Sequence, residues 1–234
     1  MKKYLIPLSI ILAIISIFIF VRPLFHHLII KSKGKQTVQS INNQLSENVY
    51  KSLRPTLSDI GLQQFPEKIA ILAFKEEETL EVWVHTDNTI KFLKSYPFTK
   101  NSGLLGPKLK EGDKQIPEGI YSIEYLNPNS NYYLSLKVNY PNAFDKAKAQ
   151  LDGRTNIGSD IFIHGKNVTV GCIPLGDIAI EEVFILASHS IDNKIEVVIS
   201  PRDFRINNTY PDIHSVSWSK ELYDTITHRL KVYQ

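Results

Sequence analysis

The chain has 234 residues, of which 43% are hydrophobic, 10% aromatic and 22% charged. This length and composition fit one folded domain with a small additional segment, and they exclude an intrinsically disordered chain. The net charge of +3 is dispersed, with no Lys/Arg stripe interleaved with aromatic residues, so the sequence argues against nucleic-acid binding.

An apolar segment without charged residues follows Met1-Lys2-Lys3 and covers residues 5–21. At about 1.5 Å per residue it is long enough for one transmembrane helix, and no small-residue cleavage site follows closely. We therefore predict an uncleaved membrane anchor at residues 1–30 rather than a cleaved signal peptide. Basic residues after the segment outnumber those before it, so the positive-inside rule alone would place the remaining chain in the cytoplasm.

Residues 31–65 are polar, with apolar residues at helical spacing in Val38, Ile41, Leu45 and Val49, and we predict a partly helical linker. Residues 66–234 are predicted to form the globular domain. Strand patterns occur at 69–74, 80–85, 90–96, 120–125, 132–138, 160–164 and 195–199, and helical patterns occur at 143–150, 177–188 and 217–233. The sequence thus predicts a mainly β domain with helices.

The chain contains one cysteine, Cys172, and eight residues before it lies His164. Each of the two has a glycine neighbour, Gly171 and Gly165, and a thiol and an imidazole at this spacing are typical of a nucleophile and its base. A cysteine beside apolar residues can equally be a small core residue. No HExxH or paired-cysteine spacing occurs, so we predict no metal site, and no cofactor is implied.

Five stretches carry a resemblance to a known family: Ile116-Pro-Glu-Gly-Ile-Tyr121, Leu136-Lys-Val-Asn-Tyr-Pro-Asn-Ala-Phe-Asp145, Gly153-Arg-Thr155, Ile161-Phe-Ile-His-Gly165 and Thr169-Val-Gly-Cys-Ile173. In sequence and order they resemble the L,D-transpeptidase catalytic domain, also called the YkuD domain, and they are most similar to its branch of periplasmic DAP-amidase proteins. An ordered set of this kind is far more specific than an isolated His-Gly or Gly-Cys pair. The resemblance implies an L,D-transpeptidase-like β-sandwich.

The resemblance also implies the chemistry of the site. Cys172 would attack an amide carbonyl after proton transfer to His164, and an amine or water would resolve the thioester. The backbone carbonyl of Gly165 would orient the imidazole. The N–H groups of Gly171 and Cys172 would form the oxyanion hole, and a helix that starts after the cysteine loop would favour the thiolate.

Two positions depart from the wider family, and both departures resemble the amidase branch. Val170 occupies the place of a second histidine, and Pro174 stands where an arginine commonly follows the cysteine.

The elements shared with the amidase branch supply candidate substrate residues. Arg154 is predicted to bind a stem-peptide carboxylate, with a structural salt bridge as the alternative. Asn142 and Asp145 are predicted to hold an amine or shape the pocket, with local capping as the alternative for Asp145. Tyr140 belongs to the same candidate set, with packing as its alternative.

The sequence therefore predicts a peptidoglycan-modifying enzyme that hydrolyses an amide to the diaminopimelate of a stem peptide, for example the link to a peptidoglycan-bound lipoprotein. L,D-transpeptidation is one alternative, because the two reactions differ in whether water or an amine resolves the thioester. A peptidoglycan-binding module without turnover is the other. A peptidoglycan substrate places the domain in the periplasm, anchored to the inner membrane, and this argument overrides the count of flanking charges.

Overall fold

The computed structural model describes residues 34–87 and 89–234. The membrane anchor predicted at residues 1–30 lies outside this part of the chain. Within the described residues, no helix combines the length and the apolar character needed to cross a membrane.

The first helix, α1 (Val38–Asp59), lies in the segment that we predicted as a linker. Four of its apolar residues are buried in the main hydrophobic core: Ile41, Val49, Leu53 and Leu57. Spacings of four and eight residues put them on one side of the helix, and such a stripe is stable only against other apolar surface. The helix is therefore part of the domain, and the compact unit begins at Val38 rather than at residue 66.

Eight strands follow along the chain: β1 (Ile69–Phe74), β2 (Thr79–His85), β3 (Ile90–Pro97), β4 (Gly119–Ser130), β5 (Tyr133–Val138), β6 (Phe162–His164), β7 (Ile173–Pro174) and β8 (Glu196–Ser200). They form one hydrogen-bonded sheet in the order β3-β2-β1-β8-β4-β5-β6-β7. The β1–β8 and β6–β7 pairs are parallel, and the other neighbours are antiparallel. Strand β7 was not predicted, because two residues are too short for a pattern.

Strand β4 joins the two halves of the sheet. Its first residues, 119–122, pair with β8, whereas residues 123–130 pair with β5. We predicted a β-sandwich, but the described strands form one continuous mixed sheet, because this 12-residue strand is long enough to belong to both halves.

Three further helices, α2 (Ala143–Leu151), α3 (Asp177–Ser190) and α4 (Ser219–Leu230), lie close to their predicted positions. Residues on one side of the sheet, such as Ile71 and Val197, pack with α1 and α3 in the main core. Their neighbours Leu72 and Val198 pack with α4 in a second cluster. This alternation follows from the two-residue period of a strand.

The long loop between β3 and β4 is tied to the core by a buried ion pair. Lys75 Nζ lies 2.8 Å from Glu118 Oε1, and both side chains are buried. Lys75 also donates to the carbonyl oxygens of Gly106 and Ile116, and Tyr223 donates to Glu118 Oε2. Removing one partner would leave an uncompensated buried charge, so the network holds this loop in one position beside the candidate site.

Candidate active site

The pairing of β6 with β7 brings the backbone of Cys172 close to that of His164. Ile163 pairs with Ile173 in parallel register, so Cys172, one residue earlier, lies beside Phe162. Side chains two residues apart on a strand share a face, and Phe162 therefore shares its face with His164. Strand spacing puts the Cα atoms of Cys172 and His164 about 8 Å apart. The fold thus brings the predicted nucleophile and base together.

His164 is buried, and its ring is held at one nitrogen. Nδ1 lies 2.6 Å from the carbonyl oxygen of Gly165, which is the contact that the resemblance implies. A carbonyl can only accept, so the neutral ring carries its proton on Nδ1 and leaves Nε2 unprotonated. Burial lowers the pKa of His164 more than this hydrogen bond raises it. The geometry therefore suits a neutral imidazole that accepts a proton at Nε2.

Gly165 leaves no room for a side chain. A Cβ at this position would lie 2.8 Å from Asp177 Oδ1 and 2.8 Å from the carbonyl oxygen of Tyr132. Backbone atoms cannot yield as a flexible side chain can, so any larger residue would displace the carbonyl that holds the imidazole.

The thiol of Cys172 is partly exposed and lies against the backbone of residues 160–162. Its Sγ lies 3.6 Å from the carbonyl oxygen of Asp160. This weak hydrogen bond points to Asp160 rather than to His164. Burial raises the pKa of the thiol, while the backbone of Phe162 and the charges of Lys137 and Lys108 lower it by less. Contacts of a catalytic pair often tighten only when substrate binds, so this geometry is that of a resting site.

Together the two shifts favour a neutral thiol beside a neutral imidazole. We predicted that the helix after the cysteine loop would favour the thiolate. Burial raises the pKa of the thiol by more than Phe162 and the two lysines lower it, and the effect of the helix itself stays a prediction. The first turn of α3 also carries Asp177, whose carboxylate accepts the N–H of Lys166 and brings a negative charge to that helix end.

The predicted oxyanion hole is occupied by protein hydroxyls. Gly171 donates its N–H to Ser102 Oγ at 2.8 Å, and Cys172 donates its N–H to Thr169 Oγ1 at 3.0 Å. Gly171 has φ of +104°, and a Cβ there would lie 3.0 Å from the carbonyl oxygen of Gln115, so glycine is required. An oxyanion could use these two donors only after Ser102 and Thr169 give them up.

Two buried lysines near the thiol were not predicted from the sequence. Lys137 Nζ lies 3.0 Å from Asp160 Oδ1 and 5.0 Å from the ring centroid of Phe162. Lys108 Nζ lies 2.6 Å from Asp113 Oδ1. The positive charges of both lysines lower the pKa of the Cys172 thiol. Lys137 lies in the quoted stretch from Leu136 to Asp145 but was not singled out there, and Lys108 lies in none of the five stretches. Strand pairing and loop folding bring both lysines to the site.

Ser135 and Tyr132 also belong to the site and were missed as functional residues. Ser135 is directly opposite His164. The backbone hydrogen bonds on either side, from Gly165 N to Leu134 O and from Val138 N to Ile161 O, show that this is a non-hydrogen-bonded pair. Side chains lie closer together in such a pair. The Ser135 hydroxyl is buried without a partner among the described residues. The ring of Tyr132 covers the imidazole at a centroid distance of 4.6 Å.

Arg154 is engaged within the protein. Its Nε and Nη2 lie 3.0 and 2.9 Å from Asp152 Oδ2, and its Nη1 donates to the carbonyl oxygen of Leu109 at 2.8 Å. The guanidinium also lies 5.9 Å from the Trp218 ring centroid. These contacts match the structural alternative, and a carboxylate of the substrate would have to compete with Asp152.

The other three candidate substrate residues surround the start of α2. Asn142 and Asp145 form a reciprocal capping box, and Asn142 also donates to the carbonyl oxygen of Ile120. Burial raises the pKa of Asp145 to about 6. Tyr140 is buried and donates to the carbonyl oxygen of Ile157. All three therefore have structural partners, and their role as substrate contacts stays a prediction.

Metal ligands do not cluster in the described part of the chain. Within residues 34–87 and 89–234, no group of three or more His, Cys, Asp or Glu side chains is placed to hold a metal ion.

Solved structures with a similar outline include two bacterial proteins. Pgp2 from Campylobacter jejuni, a helical cell shape determining protein, is 20% identical with a TM-score of 0.46, over 76% of this chain and 76% of that chain. Bd1075 from Bdellovibrio bacteriovorus is 21% identical with a TM-score of 0.43, over 71% of this chain. The present chain spans 56% of the Bd1075 chain.

A curated relative and a family model identify the domain. YafK from Escherichia coli strain K12, named for the L,D-transpeptidases, is 31% identical over 180 residues, which cover 75% of this chain and 70% of YafK. The model of the YkuD family, described as the L,D-transpeptidase catalytic domain, matches residues 70–199. This match contains six of the eight strands in full, all but one residue of β1 and of β8, and the Cys172 loop. The chain therefore belongs to the YkuD family of L,D-transpeptidase catalytic domains.

Proposed function

We propose that this chain is a cysteine-dependent enzyme that hydrolyses an amide bond to the diaminopimelate of a peptidoglycan stem peptide. The observation that carries the proposal is the pairing of β6 with β7, which brings Cys172, just before β7, next to the strand that carries His164. The bond between His164 Nδ1 and the Gly165 carbonyl supports it, because Nε2 is left as the proton acceptor.

The reaction begins with a neutral pair. As Sγ of Cys172 attacks the amide carbonyl carbon, Nε2 of His164 takes the thiol proton, and a tetrahedral intermediate forms. The carbon–nitrogen bond then breaks, and the imidazolium returns the proton to the leaving amine. His164 next removes a proton from water, which attacks the thioester and releases a carboxylic acid and the thiol.

Hydrolysis is favoured over transpeptidation by the residues beside the cysteine. Val170, in the place of the family's second histidine, is 69% exposed and offers no polar group to an acceptor. With an amine in place of water, the same thioester would give a crosslink or an attached protein, so L,D-transpeptidation is the second candidate. The reaction would release a peptidoglycan-linked lipoprotein if that protein supplies the leaving amine.

A peptidoglycan substrate also determines where the enzyme acts. We place the domain in the periplasm and assign the apolar segment at residues 5–21 to an inner-membrane anchor. A reporter that works only after export should be active when it is fused after Lys35. Activity of a reporter that works only in the cytoplasm, fused at the same place, would contradict this topology.

Purified sacculi test the reaction directly. We expect incubation with the full chain to release soluble peptides or protein whose new carboxylate or amine ends are detected by mass spectrometry. New crosslinks without released material would instead identify a transpeptidase. Binding to sacculi with neither product would identify a module without turnover and contradict the proposal.

The buried hydroxyl of Ser135 gives a further prediction. In Ser135→Ala we expect kcat on sacculi to fall about fivefold, the equivalent of one hydrogen bond to the imidazole during turnover. Thr227→Val is the matched control, because Thr227 carries another buried hydroxyl without a partner among the described residues, on α4. Equal kcat in Ser135→Ala and Thr227→Val, with both proteins folded, would show that Ser135 does not assist His164.

A further inference from the structure

A cavity of about 400 Å³ opens where β1 and β8 begin and β2 ends. It is separate from the cysteine loop and is lined by Lys68, His85, Asn139, Lys194, Glu196 and Arg229 among others. No residue of the Cys172–His164 pair lines it. These side chains come from five different parts of the chain, so only the folded sheet assembles the cavity.

Cations outnumber anions in its lining. Lys68, Lys194 and Arg229 are basic, whereas Glu196 is the one acidic residue among the described residues of the lining. The carboxylate of Glu196 already accepts bonds from Arg229 Nε at 2.8 Å and from the hydroxyl of Tyr233 at 2.6 Å. The remaining positive charge is therefore carried by Lys68 and Lys194 at the cavity wall.

Neutral hydrogen-bond donors add to this charge. Asn139 uses its Oδ1 to accept the N–H of Ser122, and this bond leaves its amide NH₂ as the donor group at the cavity. Burial and the charge of Lys68 lower the pKa of His85. Glu196 raises this pKa by less, and Arg229 lowers it slightly. His85 is thus neutral at pH 7, and a bound anion would raise its pKa. The lining fits an oxyanion rather than a cation.

Strand pairing connects the cavity to the cysteine loop. Glu196 pairs with Ser122, which is bonded to Asn139 through Asn139 N to Ser122 O. Asn139 directly follows the last residue of β5, and Lys137 of that strand pairs with Phe162 beside Cys172. Four strand spacings separate Glu196 from Cys172, about 19 Å in all, which an extended chain of about six residues spans.

We propose that this cavity binds a carboxylate of the peptidoglycan chain whose amide is presented to Cys172. The inference rests on the proposed function for the source of the carboxylate, because the stem peptides of one peptidoglycan chain carry carboxylates at several positions, including positions away from the scissile bond. Phosphate shares the oxyanion chemistry and is the competing ligand. The carboxylate is favoured because one polymeric substrate can reach both places at once.

The ring resonances of His85 in the full chain test the site. In Cys172→Ala, which stops turnover, a stem tripeptide ending in diaminopimelate is expected to shift the His85 signal saturably and raise its pKa. In Lys68→Gln combined with Lys194→Gln, affinity is expected to fall at least tenfold, the equivalent of one charge-assisted hydrogen bond. Lys91→Gln is the control, because Lys91 is exposed on β3 and donates to the Ile60 carbonyl away from the cavity.

Inorganic phosphate is titrated in parallel. A stronger response to the tripeptide than to phosphate supports the proposal. A response to phosphate alone, or unchanged affinity in the double lysine variant, overturns it. The His85 signal is measured independently of catalysis. If the wild-type protein cleaves sacculi but the His85 signal does not respond, only the proposed carboxylate site is refuted. If the His85 signal responds but the wild-type protein never cleaves sacculi, only the proposed reaction is refuted.

Discussion

Replacement of Cys172 with alanine is expected to abolish the release of material from sacculi, with a loss of at least about a thousandfold in kcat. The thiol forms the covalent intermediate, and no other cysteine exists in the chain to replace it. The fold should survive, because Cys172 is partly exposed and its Sγ contact with the Asp160 carbonyl is a weak one at 3.6 Å. Mass analysis of the soluble products measures the loss.

Two comparisons separate a chemical role of Cys172 from a structural one. Cys172→Ser keeps the size and polarity of the side chain but is a weaker nucleophile, so it should be folded and nearly inactive. Alkylation of the wild-type protein should also stop turnover, and the modified peptide should contain Cys172. Full activity in either Cys172→Ala or the alkylated protein would rule out the thioester mechanism.

Replacement of His164 with glutamine is expected to lower kcat about 10²- to 10⁴-fold, the range for loss of a general base. In the wild-type protein, burial lowers the pKa of His164, so the neutral, accepting form persists below the usual value of about 6.5. Activity should therefore fall as the pH drops through this lowered pKa, and the acid limb should be absent from the residual activity of His164→Gln. Rates of product release across pH 4–9 measure both effects.

His189→Gln is the matched control for this variant. Burial lowers the pKa of His189 as well, but its ring stacks on Phe65 away from the thiol. An unchanged acid limb in His164→Gln, or its loss in His189→Gln, would assign the titration to another group. Because burial raises the pKa of Cys172, alkylation should accelerate only as the pH rises towards 9. Rapid alkylation at pH 6 would indicate a thiolate–imidazolium pair instead.

Several local features of the fold were predictable because their causes lie close together in sequence. The spacing of Val38, Ile41, Leu45 and Val49 predicts a helix where α1 lies, and the pattern after Gly176 predicts α3. Those periodicities could not show that α1 packs into the domain. An apolar stripe indicates that a helix packs against other apolar surface, but it does not identify that surface. The same limit applies to β4, where the pattern predicts a strand but not its membership of both sheet halves.

The substrate candidates show a second limit. The same residue types that bind ligands also cap helices and form internal ion pairs, so Asp145 and Arg154 could not be assigned from sequence alone. In the fold, Asp145 caps α2 and Arg154 pairs with Asp152. The oxyanion donors are a similar case, because Ser102 lies 69 residues from Gly171 and no local pattern links them.

The sequence by itself determined the candidate reactive pair: one cysteine, a histidine eight residues before it, a glycine beside each of them, and the ordered motifs around both. Only the tertiary structure decided their surroundings. Ser135 pairs with His164, and the charge of Lys137 acts on the Cys172 thiol. Lys68 and Lys194 line one cavity. All three arrangements arise because segments distant in sequence become neighbours in the sheet. Burial, which sets the protonation states of Cys172 and His164, is likewise a property of the packed fold and not of the chain that forms it.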